Sequence, residues 1–188
     1  RSASGRQFDG AFDLDQLNLT GLFNEPRWTT NITGHATMQA AMPSGSASRI
    51  GFTFAGPRAS AFDYQGEDID VTGDWSDGRL SFRGKTSGYG TAATIDAAWQ
   101  FTEVPDKASG FTGTGTFAHA DLRRLPAQLS VIPRFASSLN GRFNLRYSAR
   151  GWQADTTLAS STFEDATLAA GTIGHVRAEG AVVSYSAD

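Results

Sequence analysis

Three histidines, His35, His119 and His175, are the side chains in this sequence best able to move a proton near neutral pH or to bind a metal. None lies in a run with the three or four convergent ligands that a metal site needs, so each reads as a solvated or hydrogen-bonded structural residue. Two acidic groups, Glu67-Asp68-Ile69-Asp70 and Asp9 with Asp13 and Asp15, contain enough carboxylates for glycoside hydrolysis or a calcium site. These carboxylates alternate with Phe12, Leu14, Ile69 and Val71, which places them on the outward face of strands, and the calcium-loop spacing is missing. Gly113-Thr114-Gly115 resembles half of a dinucleotide fingerprint, but it sits between Phe111 and Phe117 in strand alternation and lacks the third glycine and a following helix. No Gly-x-Ser-x-Gly elbow occurs, and the absence of cysteine removes thiolate nucleophiles, disulfides and sulfur-ligated zinc. The expectation is a protein that is not an enzyme, with no cofactor and no metal.

The elements that would carry these residues follow from a period of two. Leu139, Gly141, Phe143, Leu145, Tyr147 and Ala149 alternate with Asn140, Arg142, Asn144, Arg146 and Ser148, the pattern of a strand with one apolar and one wet face. The same alternation over most of the chain predicts strands at 7–15, 28–41, 48–56, 61–75, 78–86, 89–102, 110–120, 139–150, 152–160, 161–170 and 175–186. Turn chemistry at Met42-Pro43-Ser44-Gly45-Ser46, Gly56-Pro57, Ser76-Asp77-Gly78, Ser87-Gly88 and Arg150-Gly151 joins neighbours by short hairpins. Only Asp121 to Pro133 departs from this pattern: Leu122, Leu125 and Leu129 have helical spacing, and Pro126 limits them to short turns. The expected fold is all-β, an elongated and strongly curved antiparallel meander, with glycines inside the strands permitting coiling and close approach.

At 188 residues, with 39% hydrophobic content, the chain reads as a single domain over 1–188. Without an initiator methionine, an export signal or an apolar run of about 18 residues, it is expected to be a fragment of a longer chain. A net charge of −3 with only 16 Lys and Arg gives no reason to expect nucleic acid. What remains is the apolar track itself: Phe52, Phe54, Phe62, Tyr64, Leu80, Phe82, Tyr89, Ile95, Trp99, Phe101, Phe111, Phe117, Phe143, Leu145, Tyr147, Phe163 and Leu168. No helix long enough to cover it is expected, so the sheet must fold over on its own strands or receive something that is not protein.

The stretch Asp68-Ile69-Asp70-Val71-Thr72-Gly73-Asp74-Trp75-Ser76-Asp77-Gly78-Arg79-Leu80, continuing through Thr86 to Ala93, resembles the repeating unit of AsmA-like proteins, in particular the TamB type. Gly113 to Leu122 with Leu125-Pro126, Ser138 to Phe143, and the tail from Thr162 to Asp188 have the same character, and together they cover about two thirds of the chain. The resemblance implies a U-shaped β-groove in the periplasm, anchored to the inner membrane by a helix outside these residues. It also implies a greasy trough that carries phospholipid between membranes or assists outer-membrane protein assembly. Its partners would be phospholipid or another acyl-chain lipid and an outer-membrane β-barrel protein, and the track residues named above would line the trough. Two other classes share parts of the pattern. One is an outer-membrane β-barrel, with Arg142, Arg146 and Arg150 facing a lumen; the other is a carbohydrate-binding or adhesin sandwich using Trp28, Trp75, Trp99 or Trp152 as stacking platforms.

Overall fold

Alternation of β-branched and aromatic residues with polar ones is realised as strand through most of the chain. The computed structural model describes residues 6–20, 29–42, 48–61, 64–101, 110–126, 134–148, 151–179 and 182–187. The fold is an all-β antiparallel meander, and the chain divides into two compact units, residues 1–87 and 88–188.

Unit 1 holds β1 (Arg6–Leu17), β2 (Thr30–Met42), β3 (Arg49–Ala61), β4 (Tyr64–Ser76) and β5 (Arg79–Gly88), each paired antiparallel with the next. Asp77 and Gly78, both with positive φ (51° and 72°), make the two-residue turn between β4 and β5, the backbone twist that suits a tight hairpin. Register shifts at Leu14/Leu17, Thr33/His35 and Glu67/Asp70 mark bulges, and Gln16 and Asp68 take left-handed φ within two of them. Among the described residues no ladder returns from β5 to β1, so the unit is an open meander.

Unit 2 holds β6 (Thr91–Gln100), β7 (Gly110–Ala120), β8 (Ser137–Ser148) and β9 (Gly151–Leu158). It continues with β10 (Ser161–Phe163), β11 (Ala166–Leu168), β12 (Ile173–Glu179) and β13 (Val182–Ala187). The main ladder runs β6-β7-β8-β9-β12-β13, and the small β10-β11 hairpin pairs with the first residues of β8. The turn expected at Gly56-Pro57 lies inside β3, which runs on to Ala61, and two further expected strands are corrected in unit 2. Residues 161–170 form two three-residue strands about a turn at Glu164, whose φ is 52°; glutamate is a poor advertisement for a left-handed turn, so the break was invisible. Residues 175–186 form a hairpin, β12 and β13, because a period of two carries no sign of chain reversal.

The partner change on β8 is held by polar atoms. Ser161, at 2% exposure the most enclosed of the described residues, accepts from Asn140 N at 2.9 Å and donates to Ala159 O at 2.9 Å, while the Asn140 side chain accepts from His119 N at 3.0 Å. Ahead of β8 lies a short 3-10 turn, Leu122–Arg124, capped by Asp121. The Arg123 guanidinium, 2.8 Å from that carboxylate, holds the Asp121 carboxyl down to about 2. Ser137 Oγ accepts from Leu122 N and donates to Ala120 O, tying the turn to β8. Pro126 follows at once, as the short-turn expectation requires; Leu129 lies outside the described residues.

Candidate functional face

Because residues opposite each other in an antiparallel ladder share a face, the registers sort every side chain. In unit 1 the rows Phe8–Ala40–Ile50–Trp75–Leu80, Gly10–Met38–Phe52–Gly73–Phe82 and Phe12–Ala36–Phe54–Val71–Gly84 run unbroken across five strands and contain no polar side chain. The interleaved rows carry Asp9, Asp13, His35, Thr37, Thr53, Asp70, Thr72, Asp74, Arg83 and Lys85. In unit 2 the apolar rows are Trp99–Phe111–Tyr147–Trp152, Ala97–Gly113–Leu145–Ala154–Val176 and Ala93–Phe117–Gly141–Leu158, with Ile95–Gly115–Phe143–Thr156 between the last two.

Phenylalanine sits opposite glycine again and again: Phe52 and Phe82 flank Gly73, Phe143 faces Gly115, and Phe117 faces Gly141. A Cβ added at Gly73 would lie 2.4 Å from Phe52 Cζ, and one at Gly115 would lie 2.5 Å from Phe143 Cζ, so the rings lean over the bare backbone of the neighbouring strand. Each glycine is a seat for a ring, a cross-strand partnership that hides glycine backbone from water. The rings therefore cover the sheet and are themselves partly covered: Phe52, Phe54, Phe82, Phe117 and Phe143 are half-buried, while Phe8, Phe12, Trp152 and Val176 in the same rows are exposed. Among the described residues only Ala40, Ala97, Ala98 and Phe111 are buried apolar side chains, and each strand's main contacts are with its hydrogen-bonded neighbours.

One end of the unit 2 face is better covered. Trp99 stacks on Phe101 at 5.4 Å and meets Phe111 edge-on at 5.7 Å, and Trp152 reaches Phe111 at 5.5 Å and Tyr147 at 5.0 Å. Inside this cluster the Trp99 indole Nε1 is buried with no hydrogen-bond partner among the described residues. An orphaned donor of that kind costs about 1–3 kcal/mol.

Phe52, Phe54, Leu80 and Phe82 thus share one face of unit 1, and Ile95, Trp99, Phe111, Phe117, Phe143, Leu145 and Tyr147 share one face of unit 2. Phe101 follows β6 and extends the cluster. Tyr64 begins β4 opposite Ala61. Tyr89 lies outside the strands, in a turn with Gly90 where both have positive φ (53° and 77°). Phe163 and Leu168 belong to the side hairpin, Phe163 against Phe135 at 5.0 Å. Phe62 lies outside the described residues, as does Trp28. Trp75 and Trp152, weighed as glycan platforms, both belong to the apolar rows.

Spacing along the chain did not disclose what the wet faces pair. His35 Nδ1 lies 2.8 Å from Asp13 Oδ1 and His175 Nδ1 lies 2.7 Å from Asp155 Oδ1, each pair directly across a ladder. The signal that finds them is register, not local motif. Glu67 and Asp70 are likewise engaged across strands, with Arg58 at 3.8 Å and Lys85 at 3.4 Å. Among the described residues no group of three or more His, Asp or Glu side chains is placed to hold a metal.

No protein-family model matches the chain, and neither a curated protein nor a solved structure gives a significant match.

Proposed function

We propose that this chain is a segment of a periplasmic bridge-like protein whose apolar face carries phospholipid acyl chains between the inner and outer membranes during outer-membrane biogenesis. The observation that supports this reading is the pairing of wide apolar rows with few buried apolar side chains among the described residues. Large uncovered apolar surface on a water-exposed protein marks a place where something else binds. Moving a two-chain lipid of roughly 32 methylenes through water would cost about 25 kcal/mol at ~0.8 kcal/mol per methylene. A track of similar apolarity along its length lets the chains slide at little net cost while the headgroup stays wet. Such a track needs no catalytic group, cofactor or metal. The periplasmic setting, inner-membrane anchoring of the full-length protein and contact with an outer-membrane β-barrel protein enter through the resemblance to the TamB type.

Native mass spectrometry of the purified chain tests the reading. Copurified phospholipid or fatty acid, with uptake of a fluorescent acyl probe abolished by Leu145→Glu, is the expected result. A strictly lipid-free protein that takes up no probe would overturn it. Glycan binding lost in Trp152→Ala and retained in Phe143→Asp would move the reading to a carbohydrate-binding module.

A further inference from the structure

The polar face of unit 2 has a feature that acyl-chain binding does not use. On the β12-β13 hairpin, His175 is opposite Ser186 and Arg177 is opposite Ser184, and these four side chains line a surface depression of about 370 Å³. We propose that this depression binds a phosphate oxyanion.

The argument begins with the imidazole. Asp155 is opposite His175 on β9, with Nδ1 and Oδ1 2.7 Å apart. An ionised carboxylate only accepts hydrogen bonds, so the ring must donate through Nδ1 and its tautomer is fixed. Nε2 remains for a ligand, and when it too is protonated the aspartate balances the charge of the ring. Hydrogen bonding to His175 holds the Asp155 carboxyl below the usual carboxylate range against partial desolvation, with Gln153 and Arg146 pulling the same way. The acid thus stays ionised and in place.

Beside this pair stands Arg177, and Arg146 lies in the same ladder row through Gln153. Neither arginine has an ion-pair partner within 4.0 Å among the described residues, and the Asp155 carboxylate is engaged by His175. The donors, a guanidinium fork, an imidazole and two hydroxyls, come from two adjacent strands about 5 Å apart. They can reach a bound group from both sides, which suits a tetrahedral oxyanion better than a flat carboxylate that one guanidinium would satisfy. The volume is many times the roughly 30 Å³ share of one water, room for a phosphate ester as well as for free phosphate. This face is opposite the aromatic track, and the site stands whether or not that track holds lipid.

The test follows the His175 imidazole by NMR in the full chain while inorganic phosphate is added at constant ionic strength. A saturable shift is expected, and Arg177→Gln, with unchanged circular dichroism, should weaken binding roughly 10-fold or more, the factor of one charge-assisted hydrogen bond. Arg58→Gln, in unit 1, should leave binding as it is. Glycerol phosphate and vesicles with or without phosphatidic acid then separate a soluble ester from a lipid headgroup, and binding of either supports the site. A shift that never saturates, or one that survives Arg177→Gln intact, overturns it.

Discussion

The two units solve one problem to different degrees. Both are open antiparallel meanders with a wet and an apolar face, and both seat phenylalanine rings over cross-strand glycines. In unit 1 the rings are spread along the rows, and on β1 Phe8 and Phe12 remain 45% and 43% exposed. In unit 2 the row Trp99–Phe111–Tyr147–Trp152 gathers its rings at one end, where Phe111 at the centre is only 7% exposed while Trp152 at the rim remains 43% exposed. A sheet without a covering layer thus encloses a large ring where aromatics from several strands share a row. Elsewhere its apolar residues are left to meet something else.

Truncation should separate the two cases most strongly. Phe111→Ala is expected to cost about 3–5 kcal/mol, the range for a buried ring that leaves a cavity, whereas Phe8→Ala should cost under about 1 kcal/mol. Urea unfolding of both variants checks this, and equal losses would erase the distinction between the units. The glycine seats come next. Gly115→Ala would place a Cβ 2.0 Å from Thr94 O, and a loss of about 1–3 kcal/mol is expected from the forced shift. Gly51, opposite Asp74 on the wet rows, has open space around an added Cβ, so Gly51→Ala should be neutral or gain up to about 1 kcal/mol.

The smallest effect concerns pH. The folded-state value of Asp121, about 2, lies below that of the unfolded chain, near 3.9. Its contribution is therefore complete above about pH 4 and is lost as pH falls through about 2. The stability gap between the native chain and Asp121→Asn should be constant from pH 7 to about 5 and close at the acid end. A gap that closes near neutrality would assign the tie to another group.

Much of this was legible in the sequence because a period of two reports strand and face together. The alternation through Phe143, Leu145 and Tyr147 needed only β8 to exist. What stayed hidden depended on partners distant in the chain. Asp13 and His35, or Asp155 and His175, become neighbours only once a register is fixed, and no local spacing encodes a register. Glu164 took a left-handed turn that its residue type does not announce. Glycines that looked like sites of coiling proved also to be seats for particular rings, which requires knowing which phenylalanine is opposite.

The most direct measurement is photocrosslinking of the purified chain with a diazirine-bearing fatty acid, followed by peptide mapping of the adducts. Adducts on the apolar rows, at Phe52, Phe82, Phe143 or Leu145, with Thr53, Arg83, Asn144 and Arg146 unlabelled, are what an uncovered acyl track predicts. Labelling spread equally over both faces, or none at all, would contradict it.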